Sequence, residues 1–236
     1  MIIWGAGRIV TDGLVLHLDA ANQKSYPGIG DVFYDISGNR NNGVLFNGPT
    51  FSSQNAGSIV LDGTNDVIYI DYSGNTSNQY TFNIVFNTIG MTTSTSDRKT
   101  IFGLQYNDNY TYRQLNFELW GSLTRSYRGN GGPGGEGVDF RGYLATSSTI
   151  TPNSLNMITV LVDATSVSYY INGIFEATRA TDPLYVADFN RIIIGARYGT
   201  SNIWGGNLYH FNVYDRLLNS GEVLQNFNSI KSRFNL

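Results

Sequence analysis

Two stretches of the 236-residue chain decide its fold: DISGNRNNGVLFNG from Asp35 to Gly48, and SIVLDGTNDVIYI from Ser58 to Ile70. The first contains Ser-Gly-Asn and Asn-Asn-Gly, which tolerate positive φ, and its Val-Leu-Phe then resumes an extended chain. In the second, alternating segments flank Gly-Thr-Asn-Asp. This pattern predicts short strands joined by tight turns, with a β-hairpin or β-corner at residues 63–66.

Segments with strand character recur along the whole chain. We predict strands at 14–19, 43–47, 58–62, 67–71, 80–87, 99–105, 114–121, 157–163, 166–172, 174–178, 191–196 and 207–214. About a dozen strands is too many for a seven-stranded immunoglobulin domain. Two packed antiparallel sheets with jelly-roll crossovers fit better. The alternation in NMITVLVD indicates a central strand that is covered on both faces.

Three local features have their own signals. Asn172-Gly173 lies between two extended runs and supplies the two positive φ angles of a type I′ hairpin turn. Asn219, followed three residues later by Glu222, predicts the start of a helix whose apolar stripe docks on the sandwich edge. That stripe consists of Val223, Phe227, Ile230 and Phe234. The glycine-dense tract from Gly129 to Gly137 indicates a long exposed loop.

Composition excludes several classes of protein. Only 14% of residues are charged, the net charge is -3, and Lys and Arg do not cluster, so we expect no nucleic-acid partner. Cysteine is absent, which removes disulfides, thiolate metal sites and a cysteine nucleophile. We expect neither a secretion signal nor a membrane span. The length fits one large β-sandwich over 14–236, preceded by an N-terminal arm over 1–13.

Several segments together resemble a known family. LVLHLDAAN, FYDISGNRNNGVL, LDGTNDVIYI and the C-terminal WGGNLYHFNVYDRLLNSGEVLQNFNSIKSRF are similar, in order and spacing, to a laminin-G-like, concanavalin A-like lectin-glucanase domain. The LDAANxxSYPG start and the NGPTF segment most resemble the domains carried by tailed-phage virion structural proteins. The resemblance implies an all-β, two-sheet antiparallel jelly-roll sandwich with one short C-terminal helix.

Glycoside hydrolysis needs two carboxyl groups placed across the scissile bond. Glucanases of this fold typically carry a Glu-X-Asp-X-Glu run, and none of the four glutamates here begins one. Glu118 is the best placed, because spacing of two puts it on one strand face with Gln114, Asn116 and Trp120. That face lines a saccharide groove or is a polar surface facing solvent. We therefore expect no enzyme activity and name no catalytic residue.

The two histidines, His17 and His210, lie in strand-like runs and are followed two residues later by Asp19 and Asn212. A metal pair or a Ser-His-Asp arrangement is one interpretation. A half-buried histidine with a local hydrogen bond is the more common one. No G-X-S-X-G, H-E-X-X-H or P-loop pattern supports catalysis.

Sugar binding would rely on exposed aromatic rings beside polar side chains. The candidate carbohydrate-binding residues are Tyr106, Tyr110, Tyr112, Glu118, Trp120 and Trp204. The alternative is that these rings pack across strands. We expect no cofactor, although calcium has candidate ligands in Asp35, Asp62 and Asp66, with Asn39 and Asn65 beside them. The same residues are explained equally by turns in which they hydrogen-bond their own backbone.

The functional hypothesis from sequence is a non-enzymatic virion structural protein of a tailed bacteriophage. Such a subunit would decorate the head or form a fibre, contact capsid or tail proteins, and associate as a homotrimer. It would lie on the virion surface after assembly in the host cytoplasm. The alternative is a carbohydrate-binding adhesion module for host surface glycans, and a glycan hydrolase is least favoured. The fold by itself does not select among them.

Overall fold

The structure is a computed structural model that describes residues 7–72, 77–92, 94, 96–106, 114–120, 123–129, 150, 152–180, 189–197 and 201–234, with the main chain alone at 106, 114, 123–129 and 179. Within these residues the chain forms fifteen strands and one α-helix. They are β1 (Leu14–Asp19), β2 (Val32–Phe33), β3 (Gly43–Phe46), β4 (Thr50–Ser52), β5 (Ser58–Asp62), β6 (Val67–Asp71), β7 (Tyr80–Thr88), β8 (Arg98–Tyr106), β9 (Gln114–Trp120), β10 (Leu123–Gly129), β11 (Leu155–Val162), β12 (Ser166–Ile171), β13 (Ile174–Ala180), β14 (Phe189–Ile194), β15 (Gly205–Tyr214) and α1 (Ser220–Phe234).

The strands form two antiparallel sheets, as the sequence predicts. The eight-stranded sheet has the order β13-β12-β11-β7-β15-β5-β4, with β1 also pairing with β15. The seven-stranded sheet has the order β10-β9-β8-β14-β6-β3-β2. Both sheets pair strands that are not consecutive in sequence, such as β7 with β15 and β8 with β14, which is the arrangement that jelly-roll crossovers produce.

An apolar core fills the space between the sheets. Its aromatic centre includes Phe82 from the eight-stranded sheet and Phe102 and Phe117 from the seven-stranded sheet. The rings of Phe102 and Phe117 stack with centroids 4.3 Å apart, and the centroid of Phe82 lies 5.2 Å from that of Phe102. Burial of each such side chain stabilises the fold by about 1.5–3 kcal/mol. The core therefore holds the two sheets together.

The turn at residues 63–66 is a β-corner rather than a hairpin, because β5 lies in the eight-stranded sheet and β6 in the seven-stranded one. Asp62 Oδ1 accepts the backbone N–H of Thr64 at 2.7 Å. Asp66 Oδ2 accepts the backbone N–H of Asp62 at 2.9 Å. These carboxylates close the corner through which the chain passes from one sheet to the other.

The predicted hairpin and central strand are both confirmed. Asn172 and Gly173 have φ angles of 51° and 78° and join β12 to β13, as a type I′ turn requires. Strand β11 lies between β7 and β12 and is buried along nearly its whole length.

Helix α1 begins with the predicted capping box. The backbone N–H of Glu222 donates to Asn219 Oδ1 at 3.0 Å, and the backbone N–H of Asn219 donates to Glu222 Oε2 at 2.9 Å. These two bonds satisfy donors that would otherwise be unpaired at the start of the helix.

The helix docks on the outer face of the eight-stranded sheet, so the predicted position at the sandwich edge is wrong. Ile230 and Phe234 pack against Val85, Met157 and Tyr209, which belong to three central strands. The reason is a register shift in β15, where Leu208 enters the core and the next two side chains turn outward. The sheet therefore presents the Tyr209 ring to the helix. Alternation counted back from Phe211, which points into the core, would have placed this ring inside.

The described part of the N-terminal arm packs beside this helix. The backbone N–H of Val10 donates to Asn226 Oδ1 at 2.8 Å, and the Tyr214 hydroxyl donates to the carbonyl of Val10 at 3.0 Å. Helix and arm together cover the outer face of the eight-stranded sheet at β15. No helix among the described residues is long and apolar enough to cross a membrane.

Candidate functional site

The outer face of the seven-stranded sheet carries Glu118 and Trp120 of β9, two of the candidate sugar-binding residues. Leu115, Phe117 and Leu119 of β9 point into the core. The intervening side chains therefore point away from the core, which places Glu118 and Trp120 on one face, as their spacing predicts.

Glu118 is the centre of a buried hydrogen-bond network on this face. Its side chain is only 3% exposed. Its carboxylate accepts bonds from Thr100 Oγ1 at 3.1 Å, Asn202 Nδ2 at 3.2 Å and Trp120 Nε1 at 3.0 Å. Glu118 is therefore neither at the surface of a saccharide groove nor on a face exposed to solvent.

Trp120 is half-buried, and both its indole N–H and one face of its ring contact other side chains. Its indole N–H donates to the Glu118 carboxylate, and the guanidinium carbon of Arg98 lies 3.5 Å from its ring centroid. This contact is a cation–π interaction that occupies one face of the ring. Trp120 therefore serves first to hold this end of the sheet together.

Of the other predicted sugar-binding residues, Trp204 is the one whose side chain the structure describes. Trp204 is fully buried and packs edge-on against Phe86 in the core, with centroids 5.7 Å apart, so its ring cannot reach a ligand. Tyr106 ends β8 and pairs in register with Phe189, with its main chain alone described. Tyr110, Tyr112 and the tract 130–137 lie outside the described residues.

An exposed aromatic platform occupies the other end of the same face. We define it by Phe46 of β3, Tyr69 and Asp71 of β6, and Arg191 of β14. The rings of Phe46 and Tyr69 lie 5.7 Å apart at 60°, and Phe46 is 51% exposed. The guanidinium carbon of Arg191 lies 5.2 Å from the Tyr69 ring centroid, and Arg191 Nε donates to Asp71 Oδ1 at 2.6 Å. The platform thus combines exposed ring surface with a charged donor and a charged acceptor.

Strand register explains why these side chains meet. Tyr69 lies opposite Ile193 of β14 and Val44 of β3, and Asp71 lies opposite Arg191. In β3, residues alternate strictly between buried and exposed, so Val44 and Phe46 share the outer face. The sequence contains this alternation, and it could have identified the shared face. The sequence does not show whether another element covers this face, so it did not predict the platform.

The candidate calcium ligands are engaged in turns. The Asp35 carboxylate accepts backbone N–H bonds from His17, Ser37 and Asn41, and also the Ser37 hydroxyl, at 2.8–3.0 Å. Hydrogen bonds from the backbone N–H groups of the β-corner lower the pKa of Asp62, and burial raises the pKa of Asp66. The turn interpretation accounts for each of these carboxylates.

The two histidines meet on the outer face of the eight-stranded sheet. His17 Nε2 lies 3.0 Å from His210 Nε2, and the donor atoms of His17, His210 and Asp19 all lie within 4.8 Å of one another. Asp19 pairs with Arg233 of α1 through two bonds of 2.9 and 2.7 Å. Burial lowers the pKa of His210 to about 3 and also lowers the pKa of His17, so both rings are neutral at pH 7.

Comparison with solved structures finds the same fold in several proteins. The receptor binding domain of botulinum neurotoxin type G has a TM-score of 0.66 and 16% identity, covering 92% of this chain and 51% of its own. The binding domain of paraclostridial mosquitocidal protein 1 has a TM-score of 0.67 and 21% identity, covering 93% of this chain and 52% of its own. The chain therefore spans about half the length of these two.

A third structure matches over almost its whole length. Domain 4 of AbnA, a GH43 extracellular arabinanase from Geobacillus stearothermophilus solved in complex with arabinotriose, has a TM-score of 0.67 and 18% identity. The match covers 89% of this chain and 96% of that domain. At these identities the likeness concerns the fold. No curated protein sequence matches the chain.

The family is shown by sequence. The model of the family Laminin_G_3, described as concanavalin A-like lectin/glucanases superfamily, matches residues 62–224, which is more than half of the chain. This range runs from the end of β5 into α1 and includes most strands of both sheets. The chain belongs to the concanavalin A-like lectin/glucanases superfamily.

Proposed function

We propose that this protein is a non-catalytic, glycan-binding adhesion module that holds a saccharide on the aromatic platform of the seven-stranded sheet. The observation that carries the proposal is the pair of rings formed by the exposed Phe46 and the half-buried Tyr69, beside the Arg191–Asp71 ion pair. A sugar ring presents apolar C–H groups on its faces and hydroxyls around its edge. It is therefore recognised by a ring surface bordered by donors and acceptors.

The ion pair keeps hydrogen-bonding capacity for a ligand. Arg191 uses Nε on Asp71, and its two terminal nitrogens make no hydrogen bond with the residues that the structure describes. The Asp71 side chain is 77% exposed, and its second oxygen can accept from a hydroxyl. The pair thus offers donors and acceptors side by side, as neighbouring sugar hydroxyls require.

Binding rather than hydrolysis is supported by the state of Glu118, the best placed glutamate. A retaining or inverting glycosidase needs two carboxyl groups that both reach the substrate. The carboxylate of Glu118 is buried and accepts three hydrogen bonds from the protein. Its contacts hold the sheet in place and leave it no access to a glycosidic bond.

The structural neighbours support the same class of function. Two of them are binding domains of toxins, and one is an arabinanase domain solved with arabinotriose. A carbohydrate-binding role for this chain agrees with those proteins. Host surface glycans are the ligands that an adhesion module would meet.

The test is a glycan array followed by titration calorimetry of any glycan that binds, with calcium and with EDTA. We expect binding that does not need calcium. Its affinity should fall at least about tenfold in Phe46→Ala, because this variant loses one stacking contact and the ring surface that the sugar would bury. Phe175→Ala is the matched control, because Phe175 is 53% exposed on β13 of the other sheet. Failure to bind any glycan, or equal losses in the two variants, would refute the proposal.

Attachment to a virion is the second proposal, and exposed aliphatic surface favours it. Val44 is 45% exposed beside Phe46, next to β2, a two-residue strand at the edge of the sheet. Exposed apolar surface at a sheet edge is a common site of protein contact. The phage-like LDAANxxSYPG and NGPTF segments make capsid or tail proteins the proposed partners, with a trimeric subunit on the virion surface.

Two measurements separate this role from glycan binding. Mass spectrometry of purified virions should detect the chain, and Val44→Ser should weaken its rebinding to virions that lack it while leaving glycan affinity unchanged. Virions without the protein would exclude the structural role. If Val44→Ser weakened virion rebinding and glycan affinity equally, the two contacts would not be separable.

A further inference from the structure

The only two histidines of the chain meet at one point in the fold. His17 of β1 and His210 of β15 are 193 residues apart in sequence, and their Nε2 atoms lie 3.0 Å apart. Strand pairing places Asp19 directly opposite His210 in the register of β1 and β15. Three side chains that commonly ligate metals therefore lie together on one sheet face, away from the aromatic platform.

The two ring nitrogens of the buried His210 have different surroundings. His210 is 2% exposed, and its Nδ1 has no hydrogen-bond partner among the residues that the structure describes. A metal ion on Nε2 would leave the ring proton on Nδ1, so the unpaired Nδ1 does not itself indicate a metal, and the converging Nε2 atoms do. Two imidazole Nε2 atoms 3.0 Å apart, with a carboxylate beside them, are donors that a transition metal commonly uses.

The donor geometry is close to that of a tetrahedral site. Nitrogen ligands lie about 2.0–2.1 Å from zinc, which places two ligands of a tetrahedron about 3.4 Å apart. The two Nε2 atoms lie 3.0 Å apart, and the widest separation among the three donor atoms is within 4.8 Å. A side-chain adjustment of about 1.4 Å therefore brings all three to ligand distance.

Asp19 retains one acceptor position for a metal. Its Oδ1 accepts the backbone N–H of Ala21 at 3.0 Å and Arg233 Nη2 at 2.7 Å, while Oδ2 accepts Arg233 Nη1 at 2.9 Å and no other donor in the described part of the chain. A carboxylate offers about four such positions, so one remains on Oδ2. Arg233 would then orient the carboxylate as the partner of a metal ligand does.

We propose that His17 Nε2, His210 Nε2 and Asp19 Oδ2 form a binding site for a zinc-like divalent transition metal, with water as the fourth ligand. Two imidazoles and one carboxylate suit zinc, whereas calcium prefers oxygen ligands alone. The ion would replace the His17–His210 hydrogen bond and join β1 to β15. Through Asp19 and Arg233 it would also fasten the end of α1 to the sheet.

The test uses the full chain without a histidine tag, treated with EDTA and titrated with zinc chloride in a calorimeter. We expect one zinc ion per chain, with affinity reduced at least about tenfold in His17→Gln. Asp71→Asn is the matched control and should bind zinc as the unaltered chain does, because Asp71 is an exposed carboxylate in the other sheet. Zinc should raise the melting temperature of the unaltered chain and of Asp71→Asn, and calcium should not.

The site is overturned if the folded, unaltered chain does not bind zinc, or if His17→Gln binds it equally well. Far-UV circular dichroism confirms that His17→Gln is folded before the titration. Should it not fold, Asp19→Glu takes its place, because this variant keeps the charge beside Arg233 and moves the oxygen. Asp19→Glu is expected to change zinc affinity and its enthalpy, and unchanged values would contradict the site.

Discussion

A carboxylate can be buried only where hydrogen-bond donors surround it, and Glu118 shows what such a residue does for this sheet. Its three donors come from β8, from β9 and from the segment before β15. The network therefore joins neighbouring elements at one end of the outer face. Spacing of two predicted which side chains share that face with Glu118. It could not predict their burial, because the covering groups come from distant parts of the chain.

Removal of this carboxylate should destabilise the protein more than replacement by its amide. Glu118→Ala leaves one buried donor and two half-buried donors without this acceptor, and we expect a loss of about 3 kcal/mol in the free energy of unfolding. Glu118→Gln keeps one acceptor oxygen but turns an N–H₂ toward Trp120, so its loss should be smaller. Urea unfolding measures both, with Glu176→Gln as a control expected within about 0.5 kcal/mol of the unaltered chain. If Glu118→Ala matched that control, the network would have no energetic role.

Trp204 shows that a residue predicted to bind a ligand can instead be buried in the core. A tryptophan after GTSNI looked suitable for a sugar, yet it lies wholly in the core against Phe86. Sequence identifies an aromatic residue and its alternation with its neighbours. Whether the ring points inward depends on which sheet receives the strand, and that is fixed by the topology.

At the scale of elements, local chemistry predicted most of the fold. The alternating segments, the Asn172-Gly173 turn and the Asn219–Glu222 box all correspond to observed elements. Strands β2, β4 and β10 were missed: two or three residues carry no periodic signal in β2 and β4, and the LTRSYRG sequence of β10 contains only two apolar residues. The docking surface of α1 was missed because it depends on the register shift in β15, which has no local marker.

The start of α1 should give a measurable pH dependence. Two Arg216 hydrogen bonds and the Asn219 backbone N–H lower the pKa of Glu222 below its usual value of 4.5. Because the folded-state pKa is lowered, this stabilisation is complete above about pH 4.5, the pKa in the unfolded chain, and is lost as pH falls through the lower folded-state value. The cap and ion pair together are worth about 1 kcal/mol.

Urea unfolding of the unaltered chain and of Glu222→Gln, at pH 7 and at pH 3, measures this contribution. The variant should be less stable by about 1 kcal/mol at pH 7, and the difference should shrink at pH 3. Comparison of the two proteins at each pH cancels the titration of the other carboxylates. A difference that is the same at both pH values would show that the charge of Glu222 does not stabilise the helix start.

At the scale of the whole molecule, the distribution of covered and open faces links fold to function. Helix α1 and the described part of the N-terminal arm occupy the outer face of the eight-stranded sheet. The aromatic platform lies on the opposite side of the sandwich, on a rigid surface built from three paired strands. Sequence predicted the family and the sandwich. It did not predict the platform, because the open face follows from the position of the helix.

A crystal structure of the protein with a glycan identified on the array tests the central claim most directly. We predict a sugar ring against Phe46 and Tyr69, with hydroxyls hydrogen-bonded to Arg191 and Asp71. A glycan seated elsewhere, for example at Trp120 and Arg98 or in the pocket of about 270 Å³ lined by Tyr26 and Phe51, would contradict it.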